Sequence, residues 1–101
     1  ENVSSIEVED AIFQHADVTE VAVIGIPDEK WGELVTALVV TSPGSSLTEA
    51  DVIAWTKTKL AGYKCPKKVE FRAELARTAT GKLQKFKLRA PFWEGHTKQV
   101  N

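Results

Sequence analysis

The sequence predicts an α+β domain, a small three-stranded sheet packed with helices in the order α-β-β-α-β-α. Three observations carry this. Two Ser/Thr-x-x-acid signatures each open an apolar-periodic segment. Two runs rich in β-branched residues are closed by Pro27-Asp28 and Pro43-Gly44. A third segment, "VEFRAEL", alternates apolar and charged residues before a basic stretch.

Taken in order, Ser4 with Glu7 fits a capping box and predicts a helix over Ser4 to Gln14, with Val8, Ala11 and Ile12 on its buried face. Glu20 to Ile26 reads as a buried strand, stopped by Pro27-Asp28. "WGE" is a turn, and Leu34 to Thr41 a second strand. Thr48 with Asp51 opens a helix to about Leu60, with Val52, Ile53, Thr56 and Leu60 inward. "AGYKCPKK" is a loop, in which Pro66 biases Cys65 towards extended backbone. Val69, Phe71, Ala73 and Leu75 form the inner face of a half-buried strand whose wet face is Glu70, Arg72 and Glu74. A loop holding Thr78 to Lys82 leads to a basic helix over Leu83 to Arg89, ended by Pro91.

A chain of 101 residues supports one core, and 27% charged residues against 43% hydrophobic ones place it among globular domains rather than disordered ones. No apolar run approaches the ~20 residues a membrane-spanning helix needs, so no transmembrane segment is expected. One cysteine, Cys65, permits no intrachain disulfide and fits a reducing compartment, the cytoplasm. Charge is distributed unevenly: residues 1–56 hold one basic and 11 acidic residues, residues 57–101 hold 12 basic and three acidic. A basic half attracts anions such as phosphate, nucleotide or nucleic acid; equally, the two halves can neutralise each other across the fold.

The stretch "ARTATGKLQK" sets a lysine directly after a glycine in a polar loop. It is not a P-loop, because Ala76 stands where the first glycine belongs and Leu83 where Ser or Thr belongs. Lys82 is then either a solvated loop cation or a cation held out to meet negative charge. Metal binding is not expected, since His15 and His96 lie far apart and one cysteine makes no ligand pair. Cys65, between lysines, reads as a loop cysteine in preference to a nucleophile, as no paired base accompanies it. Lys64, Lys67 and Lys68 beside Tyr63, with Lys82, Lys85, Lys87 and Arg89 around Phe86, form a pattern that reads phosphates and a stacked base. The acidic first half and the lack of any recognition-module signature argue against nucleic acid and leave a smaller nucleotide ligand.

Across about residues 1–90 the chain resembles the C-terminal domain of the adenylate-forming enzymes, the superfamily of acyl-CoA synthetases, peptide-synthetase adenylation domains and luciferases. "ENVSSIEVED" is similar to the end of the motif after the interdomain hinge, and "VAVIGIPDEKWGE" to the central strand and turn. "LAGYKCPKKVEF" resembles the loop before the last strand, and "RTATGKLQK" the terminal lysine motif. The resemblance is greatest to fatty-acyl-CoA synthetases. It implies that residues 1–101 are a mobile lid whose partner is an N-terminal domain of the same polypeptide, absent from this chain, without which the lid is inactive. The parent would join a carboxylic acid, fatty or similarly apolar, to ATP and then pass the acyl group from AMP to CoA. ATP and CoA are thus substrates, with Mg²⁺ accompanying ATP and not held by this domain.

By the same resemblance Lys82 is the catalytic lysine of adenylation, in a loop supported by Thr78, Thr80 and Gly81. Trp31, Tyr63, Lys64 and Lys67 are candidates for CoA, the aromatics for its adenine or pantetheine and the lysines for its phosphates. Glu1 and Asn2 match the loop passing the pantetheine tunnel. Ala76 and Ala16 stand where relatives often carry proline, so a modest loss of loop stiffness is expected. Cys65 replaces a basic residue of some relatives. Two alternatives stay open: a lid that loads a carrier-protein thiol, and a stand-alone nucleotide or nucleic-acid module.

Overall fold

A computed structural model of the chain describes residues 4–30, 32–76 and 83–94. Helix α1 (Ser5–Phe13) is followed by strands β1 (Val18–Asp28) and β2 (Gly32–Thr41), helix α2 (Glu49–Lys57), a 3₁₀ turn at Gly62–Lys64, strand β3 (Lys68–Phe71) and helix α3 (Lys85–Trp93). The sheet order is β1-β2-β3, with β1 antiparallel and β3 parallel to β2. The expected α+β order is the observed one.

Both strands of the hairpin read as continuous apolar runs because the sheet is covered on both faces. One face packs Val23, Ala37, Val39 and Val69 against Val8 and Ile12 of α1 and Val52 of α2. The other packs Ala22, Ile24, Ile26, Leu38 and Val40 against Leu75 and Leu88 of α3. The result is three layers: α1 and α2, the sheet, then α3.

Local chemistry sets the helix ends. The Ser4 hydroxyl accepts from Glu7 N–H, but only the Thr48–Asp51 pair forms the full reciprocal box. The α2 helix closes at Lys57, three residues before the expected end. There the Thr58 hydroxyl donates to the Trp55 carbonyl at 2.7 Å, and the Thr58 and Lys59 amides bond three residues back rather than four. Leu60 still packs on the first cluster. The Trp55 indole N–H donates to the Ala11 carbonyl at 2.7 Å and ties α2 to α1.

Three expectations are corrected. Pro27 does not stop β1; the strand runs on to Asp28, paired with Gly32. Val23 points its N–H to the open edge, where Glu9 accepts it at 2.8 Å. By the two-residue alternation Pro27 faces that edge as well, so its missing N–H costs no ladder bond. Gly32, at φ +78°, closes the turn in the left-handed region.

The second correction concerns "VEFRAEL". Its strand ends at Phe71, which is 41% exposed, and Ala73 is exposed as well. Alternation would put Val69 and Leu75 on one face, yet Val69 joins the first cluster and Leu75 the second. After the Arg72 amide bonds the Val39 carbonyl at 2.9 Å, the chain crosses from one face of the sheet to the other. The third is Pro91, which lies inside α3 rather than ending it. Phe92 packs on the second cluster, and the Trp93 indole donates to the Gly25 carbonyl at 2.8 Å; these tertiary contacts hold the last turn.

Both sheet edges are sealed by helix side chains. Glu9 takes Val23 N–H and Trp93 caps Gly25 C=O on β1, while Glu49 of α2 takes Val69 N–H at 2.8 Å on β3. Open edges invite intermolecular pairing, and these contacts close them. Leu38 is fully buried at the centre of the second cluster. Leu38→Ala is expected to destabilise the chain by about 2–5 kcal/mol, read as a lower urea midpoint at unchanged m-value; a loss within ~0.5 kcal/mol would mean that face is not packed as described.

Candidate functional site

The basic aromatic turn is built by Pro66. It forces Cys65 into extended backbone (φ −72°, ψ 145°) and so ends the 3₁₀ turn, in which Lys64 N–H bonds Ala61 C=O at 2.9 Å. Cys65 and Pro66 are buried beneath, and the Cys65 thiol donates to the Ala61 carbonyl at 3.6 Å. That burial removes Cys65 from contention as a surface nucleophile. Tyr63 is left half-exposed, and Lys67 is exposed, its backbone N–H fixed on the Val35 carbonyl at 2.9 Å.

Lys64 has an internal partner. Its ammonium stands 3.0 Å and 3.2 Å from the two carboxylate oxygens of Glu7 and 5.8 Å from the Tyr63 ring centroid. The hydrogen bond to Glu7 and the Glu7 charge raise the Lys64 pKa. Lys68 and Arg72 are likewise engaged, both on Glu70, at 3.0 and 3.1 Å. Burial pushes the Glu70 carboxyl up, but the hydrogen bonds and charges of Lys68 and Arg72 outweigh it, and the net pKa is below the ordinary 4.5.

Of the lysine loop only the flanks are described. Lys82, Thr78, Thr80 and Gly81 fall outside the described residues, as does Trp31. Its two flanks are defined. Ala76 C=O accepts from Gln84 N–H at 3.0 Å, and Ala76 and Leu83 pack on the second cluster. Helix α3 then starts at Lys85, whose ammonium meets the Ser5 hydroxyl at 3.0 Å and forms an ion pair with Glu9. Tyr63 and Lys64 therefore belong to the α1 layer, through Glu7, while the flanks of the lysine loop belong to the opposite face of the sheet. Among the described candidates, Tyr63 and Lys64 are brought together.

Lys64, Lys68 and Lys85, three of the cations singled out as phosphate readers, are held by carboxylates. Glu7 and Glu9 come from the acidic half, so part of the charge asymmetry cancels across the fold. Sequence reasoning missed Glu7 as a partner of Lys64, as well as the Glu9–Lys85 pair and Trp93. Glu7 carried only its capping signal, and nothing in the spacing joins Glu9 to a lysine 76 positions later. Among the described residues no cluster of three His, Cys, Asp or Glu could hold a metal, and no helix is long and apolar enough to cross a membrane.

Residues 7–82 match the AMP-binding enzyme C-terminal domain. The chain belongs to this family. Its last matched residue is Lys82. The chain is 52% identical over 89 residues to 4-hydroxybutyrate–CoA ligase 2 of Metallosphaera sedula, covering 88% of this chain and 16% of that protein. It is 46% identical over 89 residues to the peroxisomal trans-cinnamate:CoA ligase of Petunia hybrida, again 88% of this chain and 16% of that one. The solved Mycobacterium tuberculosis fatty acyl CoA synthetase superposes with a TM-score of 0.86 at 43% identity, over 94% of this chain and 19% of that chain. The chain thus spans less than a fifth of the length of these relatives.

In this AMP-binding C-terminal domain Glu70 supplies a test of the electrostatics. Its lowered folded-state pKa means the stabilisation is complete above the unfolded carboxyl's value and is lost as pH falls through the folded one. The stability difference between wild type and Glu70→Gln should be constant above about pH 5 and shrink below it, with a plateau under about 1 kcal/mol for so exposed a pair. Urea midpoints at stepped pH measure it, and a difference that grows on acidification would contradict the assignment.

Proposed function

We propose that residues 1–101 are the mobile C-terminal domain of an AMP-forming acyl-CoA ligase, acting with an N-terminal domain of its own polypeptide. In the first step the substrate carboxylate attacks the α-phosphorus of ATP, a P–O bond forms and pyrophosphate leaves. In the second the CoA thiol, losing its proton, attacks the acyl carbonyl and AMP leaves with the C–O bond electrons.

The observation that carries this reading is the change of sheet face after β3. It separates the basic aromatic turn from Ala76 and Leu83, which flank the lysine loop, as suits a domain that serves two successive steps with two different faces. Lys82 takes the first. One anion attacking another is opposed by charge, and a cation placed in a water-poor site offsets that repulsion in the transition state. Lysine suits the task as a compact charge on a long stem. Thr78 and Thr80 carry hydroxyls of the kind that brace a loop by bonding its backbone, and Gly81 is the residue type that permits close backbone approach.

Tyr63, Lys64, Lys67 and Trp31 take the second step. Half-exposed Tyr63 offers a ring for adenine or pantetheine, and exposed Lys67 a charge for phosphate. Lys64 meets a phosphate by sharing or exchanging its Glu7 carboxylate. The family match and the CoA-ligase names of its relatives support ATP, CoA and a carboxylic acid as the substrates. Mg²⁺ would travel with the ATP phosphates. The fatty acyl CoA synthetase likeness favours an apolar acid, chosen by the N-terminal domain. The single buried thiol suits a cytoplasmic setting.

In the full-length parent, Lys82→Ala is expected to lower carboxylate-dependent ATP–pyrophosphate exchange by roughly 10²-fold or more, with thioester formation from supplied acyl-adenylate retained. Undiminished exchange would return Lys82 to the status of an ordinary loop lysine. Tyr63→Ala should raise the KM for CoA about tenfold, since base–aromatic stacking contributes ~1–3 kcal/mol, and leave exchange unchanged. An unmoved KM would take the coenzyme away from this turn.

A further inference from the structure

Helices α1 and α2 open on the same signature, a hydroxyl residue with an acid three positions on, yet the two acids behave differently. Asp51 turns back and accepts the Thr48 N–H at 3.0 Å, closing its capping box. Glu7 gives its N–H to the Ser4 hydroxyl at 3.4 Å, but its carboxylate leaves the cap and meets Lys64, 57 positions later. A residue that departs from its local rule is held by something outside its own helix. Both Glu7 oxygens lie on the one ammonium, at 3.0 and 3.2 Å, the place the oxygens of a phosphate would take. Lys67, three residues on in the same turn, is exposed and has no ion-pair partner among the described residues. Of two lysines offered to a phosphate, one is vacant and one carries its own anion.

We infer that Glu7 is a positioning residue for the thiol donor: it holds Lys64 until a phosphate of CoA displaces it, and so weakens the grip of the turn on CoA and on the acyl-CoA product. The inference rests on the proposed placement of CoA at this turn. The pair lies at the surface, its side chains 27% and 44% exposed, so an incoming anion reaches it and the exchange costs little. Glu7 also keeps the ammonium beside the Tyr63 ring, 5.8 Å from its centroid. The Glu7 hydrogen bond and charge raise the Lys64 pKa, so the lysine stays charged while it is held. Substrate and product carry the same phosphates, and a turn that met them with both lysines free would let the product go slowly. Where release limits turnover, an internal anion competing for one lysine speeds it.

The test uses the full-length parent with Glu7→Gln, Lys64→Met and the double variant Glu7→Gln/Lys64→Met, beside Tyr63→Ala. Glutamine suits the same place in a first helical turn as glutamate, so the start of α1 is kept while the charge is removed. Thioester formation is followed with CoA and with pantetheine, a thiol donor that has no phosphate. Glu7→Gln should lower the KM for CoA about two- to fivefold, the scale of an exposed ion pair, and leave the KM for pantetheine unmoved. Inhibition by the acyl-CoA product should tighten by a similar factor, and the KM for CoA should rise more steeply with added salt. Lys64→Met should raise the KM for CoA by a similar factor or more. In the double variant the gain from Glu7→Gln should shrink, as expected of two groups acting as one pair.

The sign separates this role from a structural one, because cutting a mere tie between the turn and α1 would raise the KM for CoA and lower the melting temperature. With Tyr63→Ala still raising the KM for CoA, this inference alone is overturned if Glu7→Gln raises that KM or leaves it unmoved, or if Lys64→Met leaves it unmoved. An equal fall in the KM values for CoA and pantetheine overturns it too, since no phosphate would then be involved. If Lys64→Met and Tyr63→Ala both leave the KM for CoA unmoved, the placement of CoA at this turn fails and this inference fails with it.

Discussion

β2 is hydrogen-bonded along both sides and covered on both faces, and the rest of the domain follows from satisfying it. Its residues Ala37 to Val39 are fully buried and divide alternately between two apolar clusters. One helix layer cannot cover two faces, so the chain after β3 has to change sides. That crossing delivers Leu75, Leu83 and Leu88 to the second face, with Ala76 beside them. The placement of the two residues that flank the lysine loop is thus a consequence of how the central strand is buried.

The outer edges impose the second constraint. A three-stranded sheet has two open sides, and this domain closes them with carboxylates from its acidic half and an indole from its last helix. Glu9 serves the edge and the start of α3 at once. Exposed ion pairs contribute little stability each, so the Glu7–Lys64 and Glu70 contacts matter less as glue than as arrangements of charge. They leave Lys67 and Tyr63 exposed on one side while the cations around them are engaged.

Much of this was legible in the sequence where the signal is local. Ser4 and Thr48 marked their helices because a hydroxyl satisfying an orphan amide needs only three residues of context. The β-branched runs marked the two long strands, and four motifs in order marked the family. Where the sequence misled, a long-range contact had overridden a local rule. The alternation of "VEFRAEL" was genuine, but a four-residue edge strand has no further partner, and Leu75 is worth more in the second cluster than in line with Val69. Pro91 was read as a stop, and Trp93 and Phe92 hold the helix past it. Glu7 was read as half of a capping box, and Lys64 takes its carboxylate instead. No spacing rule reaches from Glu9 to Lys85.

The central claim is that the turn at residues 61–68 and the lysine loop serve different steps. Hydrogen exchange of the full-length parent tests it most directly, comparing the enzyme bound to an unreactive acyl-adenylate analogue with the same complex after CoA is added. The account predicts slowed exchange around residues 76–84 in the first complex, and around residues 61–68 once CoA is present, with protection of 76–84 relaxing. Protection of both segments together in either complex would contradict it.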